Sequence, residues 1–575
     1  MFAASLSNCF STPKRLVIEW VQYYIYLTKP ACFLFGLVFA HGLVKNAVAD
    51  VLMLYLIEDW ESSNLPKAAA IINIEEGVTA IIALVIAHFT DACIGRFKMV
   101  LFTTASYIIG LMLLWFSTWL FPLHVKVRVF YPALVLVALG KAGKDPPFKA
   151  FLADQLPSDN EEQVFDRTNF WWRVLNFLGA AVSVFLLNRL SWKATFMIST
   201  IVMVTAYFWF LSGFLVHLYD CKEPTTSPLA TLCKVFKAAI CNRNLNYPPT
   251  PTGYFMNERH EVQFSPRHRI LRWMDKAAIK RSSSSDQEQK PTEELPSTNE
   301  SESESELCSV AEVKDAKRLL TLIPLWTTFL MYSLVQAAGN TFFIEQSDGM
   351  DFKVGSYNVP INLFFVLKSL TGAISSYLVD LLIPKQWTTQ TQQRAQILKI
   401  NAGMVFSILC CIVAWQVEVH RLKLIKKCGC WDSDNENRKI PMSVLWLVPQ
   451  FFLLGFIKGL AEDGLREFFY NQVDKSMKLF ETPFNGLVIG IGKFLIVFFI
   501  PFRRSWFGDA INYSRLDKYF RLLAILSFCN LCFCVFVSCR YARLEGEQQP
   551  KIIQFQPQEP PIQEDAQDQE RLQKG

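Results

Sequence analysis

The sequence predicts an all-α membrane protein of twelve transmembrane helices in two six-helix bundles, and three observations carry that expectation. Hydrophobic residues fill 51% of the 575 positions and charged residues only 19%, a balance that suits a polytopic membrane protein better than one large soluble domain. Apolar runs of about 20 residues recur, the length that crosses the hydrocarbon core of a bilayer as a helix. The runs fall six and six around a long polar stretch, the layout of a two-halved carrier.

The first bundle is expected over 32–217, from runs at roughly 32–56, 67–89, 99–120, 129–152, 170–188 and 194–217. The second is expected over 317–540, from runs near 318–338, 357–383, 398–416, 442–464, 482–502 and 519–539. Lipid offers the backbone no hydrogen bonds, so each run must satisfy itself as a helix. Ahead of the first run, residues 1–31 are a polar cytoplasmic segment carrying Lys14, Arg15 and Lys29, with no apolar stretch and cleavage site of a removable leader. Residues 218–316 form a central loop of two characters. SPRHRILRWMDKAAI (Ser265–Ile279) spaces its apolar residues like a short amphipathic helix on the membrane surface. RSSSSDQEQKPTEELPSTNESESESE (Arg281–Glu306) is acidic and too polar to build a core. It reads as a flexible linker, with a kinase acting on its serines as the alternative. The tail, 541–575, is rich in Gln, Glu and Pro and reads as disordered.

Lys and Arg near the run ends set orientation. They put the N-terminus, the Arg96/Lys98 loop, the central loop, the Lys399 region and the Arg540/Arg543 end on one side, the cytoplasmic one. HRLKLIKKCGCWDSDNENRK (His420–Lys439) breaks the rule, being basic yet outside. The net charge of +6 is spread over loops, with no basic stripe interleaved with aromatics, so nucleic acid is not an expected partner. Membrane lipid and a small solute are, in the plasma membrane or an intracellular, vacuolar one. Most of the 15 cysteines, such as Cys410, Cys411, Cys529, Cys532 and Cys534, lie in apolar runs and act as small hydrophobes. Cys428 and Cys430 stand too close to bridge easily, so neither a structural disulfide nor a zinc site is expected. Asn512-Tyr513-Ser514 is an outside glycosylation sequon close to a membrane end.

Seven motifs in order resemble the plant nitrate/peptide transporter family, the proton-dependent oligopeptide transporter branch of the major facilitator superfamily. HFTDACIGRFK (His88–Lys98) resembles the family's D-A-x-x-G-R loop, and FLADQL (Phe151–Leu156) the end of its fourth helix. WMDKAAI (Trp273–Ile279) resembles F-L-D-K-A-A-I. VAEVKDAKRLLTLIPLW (Val310–Trp326) opens the second half as V-E-E-V-K-x-L-I-R-L-L-P-I-W does. IEQSDGMD (Ile344–Asp351), IPMSVLWLVPQFFLLG (Ile440–Gly455) and REFFYNQVDKSM (Arg466–Met477) complete the series, which covers almost the whole chain. The resemblance implies a major facilitator fold whose bundles rock about a central site, carrying nitrate, peptides or other small solutes with protons. It also implies coupling through an E-x-x-E-R motif on the first helix and a lysine on the fourth. Here Val38, His41 and Gly42 stand at the motif's Glu, Glu and Arg, and Asp145 at the lysine position, beside Lys144. Coupling of the ordinary family type is therefore not expected, since the carboxylates that would exchange protons are gone.

His41 and Asp145 are candidates for a charge-reversed replacement, because histidine titrates near neutral pH and a nearby aspartate favours its charged form. The alternative is a His41 that only hydrogen-bonds at a helix interface. On a helical wheel His41 and Lys45 share one face, and Asn46 and Asp50 share another roughly opposite. An intramembrane charge usually faces a cavity or a partner, which makes Lys45 a substrate candidate, while Asp50 is expected in solvent near the outer end. In GKAGKDPPFKAF, Lys141, Lys144, Asp145 and Lys149 form either a basic wall for an anion or a partly neutralised cluster whose Lys149 snorkels to the membrane edge; Lys141 is the preferred anion contact. Gln336 and Asn340 lie one turn apart in the seventh run, as amide donors to a substrate oxygen or as helix–helix contacts. Glu467 and Tyr470 of EFFY are substrate candidates, with Arg466 as an alternative partner for Glu467, and Arg173 is a further buried cation. Asp91, Gly95 and Arg96 read as a structural gating loop.

The seven histidines are scattered and no phosphate-binding G-x-x-x-x-G-K-[ST] loop exists, so neither an enzyme, a cofactor nor a metal is expected. The expected function is secondary transport of a small solute by alternating access. Nitrate, another small anion or a peptide-like substrate is expected, and a non-transporting, receptor-like protein on the same fold is the alternative.

Overall fold

The computed structural model describes residues 23–25, 28–58, 65–120, 123–156, 161–187, 190–224, 227–248, 254–255, 266–279, 308–382, 389–429, 440–473, 477, 480–508 and 510–546. The serine-rich stretch 281–306 with its candidate kinase sites, and the tail beyond residue 546, lie outside the described residues.

Helix α1 (Lys29–Glu58) begins where the Thr28 hydroxyl accepts the Ala31 N–H and Pro30 occupies a first turn that needs no donor. Between α2 (Leu65–Ile94) and α3 (Arg96–Ser117) stands only Gly95, at φ 83°, a left-handed conformation open to a residue without Cβ. Helix α4 runs over Leu123–Gly143, a π turn at Lys144–Phe148 and a last piece, Lys149–Asp154. Helices α5 (Glu161–Leu186) and α6 (Trp192–Leu215) complete the first bundle. After the short α7 (Pro228–Cys241), a capping box starts α8 (Val310–Glu345): Ser309 Oγ accepts the Glu312 N–H while the Glu312 carboxylate accepts the Ser309 N–H. A small hairpin pairs Lys353 with Asn358, and α9 (Asn362–Leu382), α10 (Thr389–Cys428), α11 (Val444–Gln472), α12 (Glu481–Phe502) and α13 (Leu516–Gly546) follow.

Ten helices among the described residues, α1–α3, α6 and α8–α13, are long and apolar enough to span a bilayer. Helices α4 and α5 have similar length, carry more charge and pack inside the same bundle. Packing is inside-out relative to a soluble protein. Phe185 (78% exposed) and Phe498 (72%) face outward, whereas Asn73, Glu418 and Arg421 are buried. Within the first bundle α1 packs on α5 and α6, and α4 on α2 and α3. Within the second, α9 packs on α11, α10 on α13, and α8 on α12. The two bundles meet chiefly where α2 lies along α12. Close helix crossings need small residues: a Cβ at Gly179 of α5 would sit 2.3 Å from the Phe39 carbonyl oxygen of α1.

Several expectations are corrected. Residues 420–428 are not loop but the end of α10, whose 40 residues extend about 60 Å, well beyond a bilayer core of about 30 Å. Arg421 is consumed inside the protein, donating to Glu418 (3.0 Å) and to Asn512 Oδ1 (2.7 Å), with Gln346 donating to the same Glu418 (2.9 Å). The buried Asn512 is therefore no glycosylation site, because its side chain is sequestered by Arg421. Cys428 is disulfide-bonded, against expectation, and Gly429 directly after it takes a left-handed φ of 69°. The amphipathic segment forms a tight helix over Pro266–Ala278. Its Met274, Ala277 and Ala278 pack with Val235 and Ala239 of α7 and Val313 of α8, so protein rather than a membrane surface covers them.

Candidate functional site

Where the bundles face each other, charge is concentrated at mid-span. From the first bundle come Lys45 of α1, Glu75 and Glu76 of α2, and Lys141, Lys144 and Asp145 of α4. From the second come Asn340 of α8, Lys368 of α9, Lys458 of α11 and Lys493 of α12. Most carboxylates here are matched. Glu75 Oε2 accepts from Lys141 Nζ (2.8 Å), Glu76 Oε2 accepts from Lys493 Nζ (2.8 Å), and Asp50 lies 3.8 Å from Lys45.

Three lysines have no carboxylate bonded to them, although Asp145 and Asp50 attract Lys144, and Asp50 and Glu76 attract Lys368, from farther off. Lys144 Nζ donates to Asn176 Oδ1 (2.6 Å) and stands over the Trp172 ring (5.6 Å). Lys368 Nζ donates to Asn340 Oδ1 (2.8 Å). Lys458 has no hydrogen-bonding or ion-pair partner among the described residues, although Lys144 and Lys368 both lie within its electrostatic reach. Three ammonium groups brought together without a hydrogen-bonded carboxylate repel one another, which costs stability unless an anion joins them.

The sequence candidates distribute unevenly around this centre. Lys45 and Asp50, placed on opposite faces by the wheel, are paired, because Lys45 opens a π turn in which the Asp50 N–H donates to the Lys45 carbonyl (2.8 Å). An i→i+5 turn brings residues five apart into line. Lys141 is held by Glu75 rather than open to an anion. Asn340 is central: its Nδ2 donates to Glu76 Oε1 (3.2 Å) while its Oδ1 accepts from Lys368. Gln336 is buried one turn away with its amide nitrogen unbonded. The structure does not join His41 to Asp145. His41 is buried, stacked on Tyr107 (centroids 5.3 Å) and tilted against Phe148 (5.9 Å), whereas Asp145 is exposed. The π turn at Lys144–Phe148, with Pro147 inside it, turns Asp145 away from the line that a regular helix would give.

Glu467 and Tyr470 lie away from the centre. Glu467 Oε1 accepts from Lys399 Nζ (2.8 Å), and Tyr470 stacks on Phe165 of α5 (4.4 Å). Arg466 turns instead to Asp463 (3.3 Å) and Glu481 (3.2 Å), so it is not the partner of Glu467. Arg173 of α5 crosses between bundles to Asp463 of α11 (2.9 Å), and Tyr332 Oη donates to Glu462 (2.8 Å). Arg96 lies 3.7 Å from Asp91 and donates to Asp154 (2.6 Å), which also accepts from Lys222 (2.8 Å). The loop thus clasps the ends of α2, α3 and α4.

Sequence reasoning passed over Glu75, Glu76, Lys368, Lys458 and Lys493. Each is a lone or adjacent charge in an apolar run, a signal that marks function by default.

Residues 97–505 match the model of the family described as "POT family". Protein NRT1/PTR FAMILY 5.6 of Arabidopsis thaliana is 32% identical, over 90% of this chain and 92% of its own. Protein NRT1/PTR FAMILY 5.7 of the same plant is 30% identical, over 89% and 88%. Among solved structures, an auto-inhibited POT family peptide transporter superposes with a TM-score of 0.60 at 15% identity, over 92% of this chain and 99% of that one. A POT family transporter in complex with 5-aminolevulinic acid gives 0.57 at 11% identity, over 89% and 96%.

Proposed function

Since the chain belongs to the POT family and is a multi-pass membrane transporter, we propose that its substrate is a small anion. The observation that supports this reading is the convergence of Lys144, Lys368 and Lys458 between the bundles without a carboxylate bonded to any of them. An anion entering there would gain charge-assisted hydrogen bonds from both bundles at once, which a cationic or neutral solute would not. Asn176 and Asn340, now holding two of the ammonium groups, are amides able to turn donors toward the same anion. Nitrate and small carboxylates fit this chemistry best.

Alternating access would act through the inter-bundle contacts. Arg173–Asp463 and the Phe165–Tyr470 stack hold α5 against α11, and Glu76–Lys493 holds α2 against α12. A carrier that performs no covalent chemistry is part of the proposal, as are contacts with surrounding lipid and a kinase acting on the serines of 281–306. The test is uptake by proteoliposomes containing the purified full chain, with labelled nitrate, acetate, a neutral dipeptide and a cationic amine offered separately. Uptake of nitrate or acetate above empty vesicles is expected. Uptake confined to the dipeptide or amine would overturn the anion reading.

A further inference from the structure

We propose that Glu76 is the carboxylate that couples proton movement to transport; the idea rests on the anion reading above. Helix α1 carries no acidic residue in its Lys29–Val44 segment, so any coupling carboxylate must stand elsewhere. Among the described residues Glu76 is the one carboxylate at the centre held by the opposite bundle: Lys493 of α12 donates to Oε2 (2.8 Å) and Asn340 of α8 to Oε1 (3.2 Å), while Asn340 holds Lys368 of α9. The other charges facing it are Lys141 of α4 and Lys45 of α1, with Glu75 beside it on α2, itself held by Lys141. Its side chain stays partly accessible, so a proton can reach it from water.

Charge balance gives the mechanism. With Glu76 ionised, Lys493 is neutralised and Asn340 is oriented so that its carbonyl oxygen occupies Lys368. Adding a proton to the Glu76 carboxylate cancels its charge and turns one of its two accepting oxygens into a donor, so Lys493 and Asn340 can no longer both be accepted as they are. Lys493 then loses its counter-charge in a site of low dielectric, Asn340 is less firmly held toward Lys368, and the α12 contact to the first bundle loosens. A monovalent anion binding to Lys368 and Lys458 restores the balance, so one proton and one anion enter together. When the anion leaves on the far side, Lys493 recaptures the carboxylate and the proton departs to that water. By linkage, the anion must favour protonation to the same degree that the proton favours anion binding. The crossing is tight enough to transmit the change, since a Cβ at Gly490 of α12 would lie 2.4 Å from Ala80 of α2.

Two measurements on the full-length protein in lipid test this. Hydrogen–deuterium exchange in nanodiscs, without substrate and corrected for intrinsic pH dependence, reads the contact of α2 with α12. Wild type is expected to exchange roughly tenfold faster in this region at acidic than at neutral pH, the opening that loss of one charge-assisted hydrogen bond gives. Glu76→Gln is expected to exchange fast at both, and Glu76→Asp to keep the pH response. In proteoliposomes, Glu76→Gln is expected to lose proton-gradient-driven nitrate accumulation by about tenfold or more, and Glu76→Asp to keep it. A Glu76→Gln protein whose exchange follows pH as wild type does, or a wild type indifferent to pH, would sink the proposal. Should nitrate not be carried at all, the anion reading is damaged while the exchange data still decide Glu76. If Glu76→Gln does not fold, Lys493→Gln reads the same latch from α12: it must speed exchange at neutral pH, and wild-type-like exchange there overturns the idea.

Discussion

Replacing Lys458 by glutamine separates binding from stability in a way few substitutions do. Its ammonium has no hydrogen-bonding or ion-pair partner among the described residues, and its charged neighbours include Lys144 and Lys368. Removing the charge therefore breaks no contact and relieves repulsion within the apo protein. The cost falls on the anion. An ammonium about 4 Å from a monovalent anion contributes about 4 kcal/mol of attraction at an effective dielectric near 20. Dehydration of both ions offsets much of that and leaves about 1.5–3 kcal/mol, the usual net value of a hydrogen bond to a charged group. Lys458→Gln should thus raise the half-saturating nitrate concentration about 10- to 150-fold. The thermal midpoint of the detergent-solubilised apo protein should stay level or rise. Initial-rate uptake into proteoliposomes measures the first and scanning fluorimetry the second. An unchanged half-saturation together with a lowered midpoint would mean that Lys458 is a structural residue, and the reasoning from unmatched charge would fail.

Other outcomes follow from the same geometry. Asp463→Asn leaves Arg173 and Arg466 short of a carboxylate at the α5–α11 contact and should speed exchange there by about tenfold, read by deuterium uptake of α11 peptides. Wild-type protection there would remove the pair from the gate. His41→Gln should leave the pH profile of uptake unmoved, because His41 sits between aromatic rings without joining Asp145; a displaced profile would restore histidine as a coupling group. Gly179→Val forces new atoms onto the Phe39 carbonyl and should destabilise the α1–α5 crossing by about 1–3 kcal/mol or prevent folding, seen as loss of monodisperse protein.

The fold was legible because lipid imposes it. Twelve runs of spanning length could be nothing but helices, and the described helices contain the runs to within a few residues, apart from the extra turns at the end of α10. Those turns were missed because the run counted only apolar residues, whereas Arg421 is buried against Glu418 and Asn512 and needs no water. The site was half legible. Asn340 and Lys144 could be nominated from their positions in apolar runs. Their partners Lys368 and Asn176 lie 28 and 32 residues away on other helices, and pairing across helices leaves no mark on a single run. Glu75 and Glu76 were as visible as any candidate. They went unread because attention followed the family's helix α1 motif, and the acidic pair stands on α2 instead.

The remaining failures share one physical cause. Among the described residues π turns occur at Lys45–Ala49, Thr90–Ile94, Lys144–Phe148 and Lys458–Glu462. Three of the four open on a central lysine, and the fourth lies at the Asp91–Arg96 clasp. A π turn carries one residue more than an α turn, so every side chain beyond it is rotated by about 100° from where a 3.6-residue wheel would put it. In α4 the cause is in the sequence, since Pro146 and Pro147 cannot donate to a regular α ladder. In α11 it lies in packing: Gly459 presses against the Gly372 carbonyl of α9, where a Cβ would come within 2.2 Å. Each of the three lysine-opening turns gives up regular hydrogen bonding once in an otherwise continuous helix, beside a charge of the inter-bundle centre. Because the lysine opens each of these turns, the residues after it are the ones displaced, as where Asp50 comes into line with Lys45. The irregularity thus pairs residues that a regular helix holds apart, and no helical wheel drawn from the sequence can anticipate it.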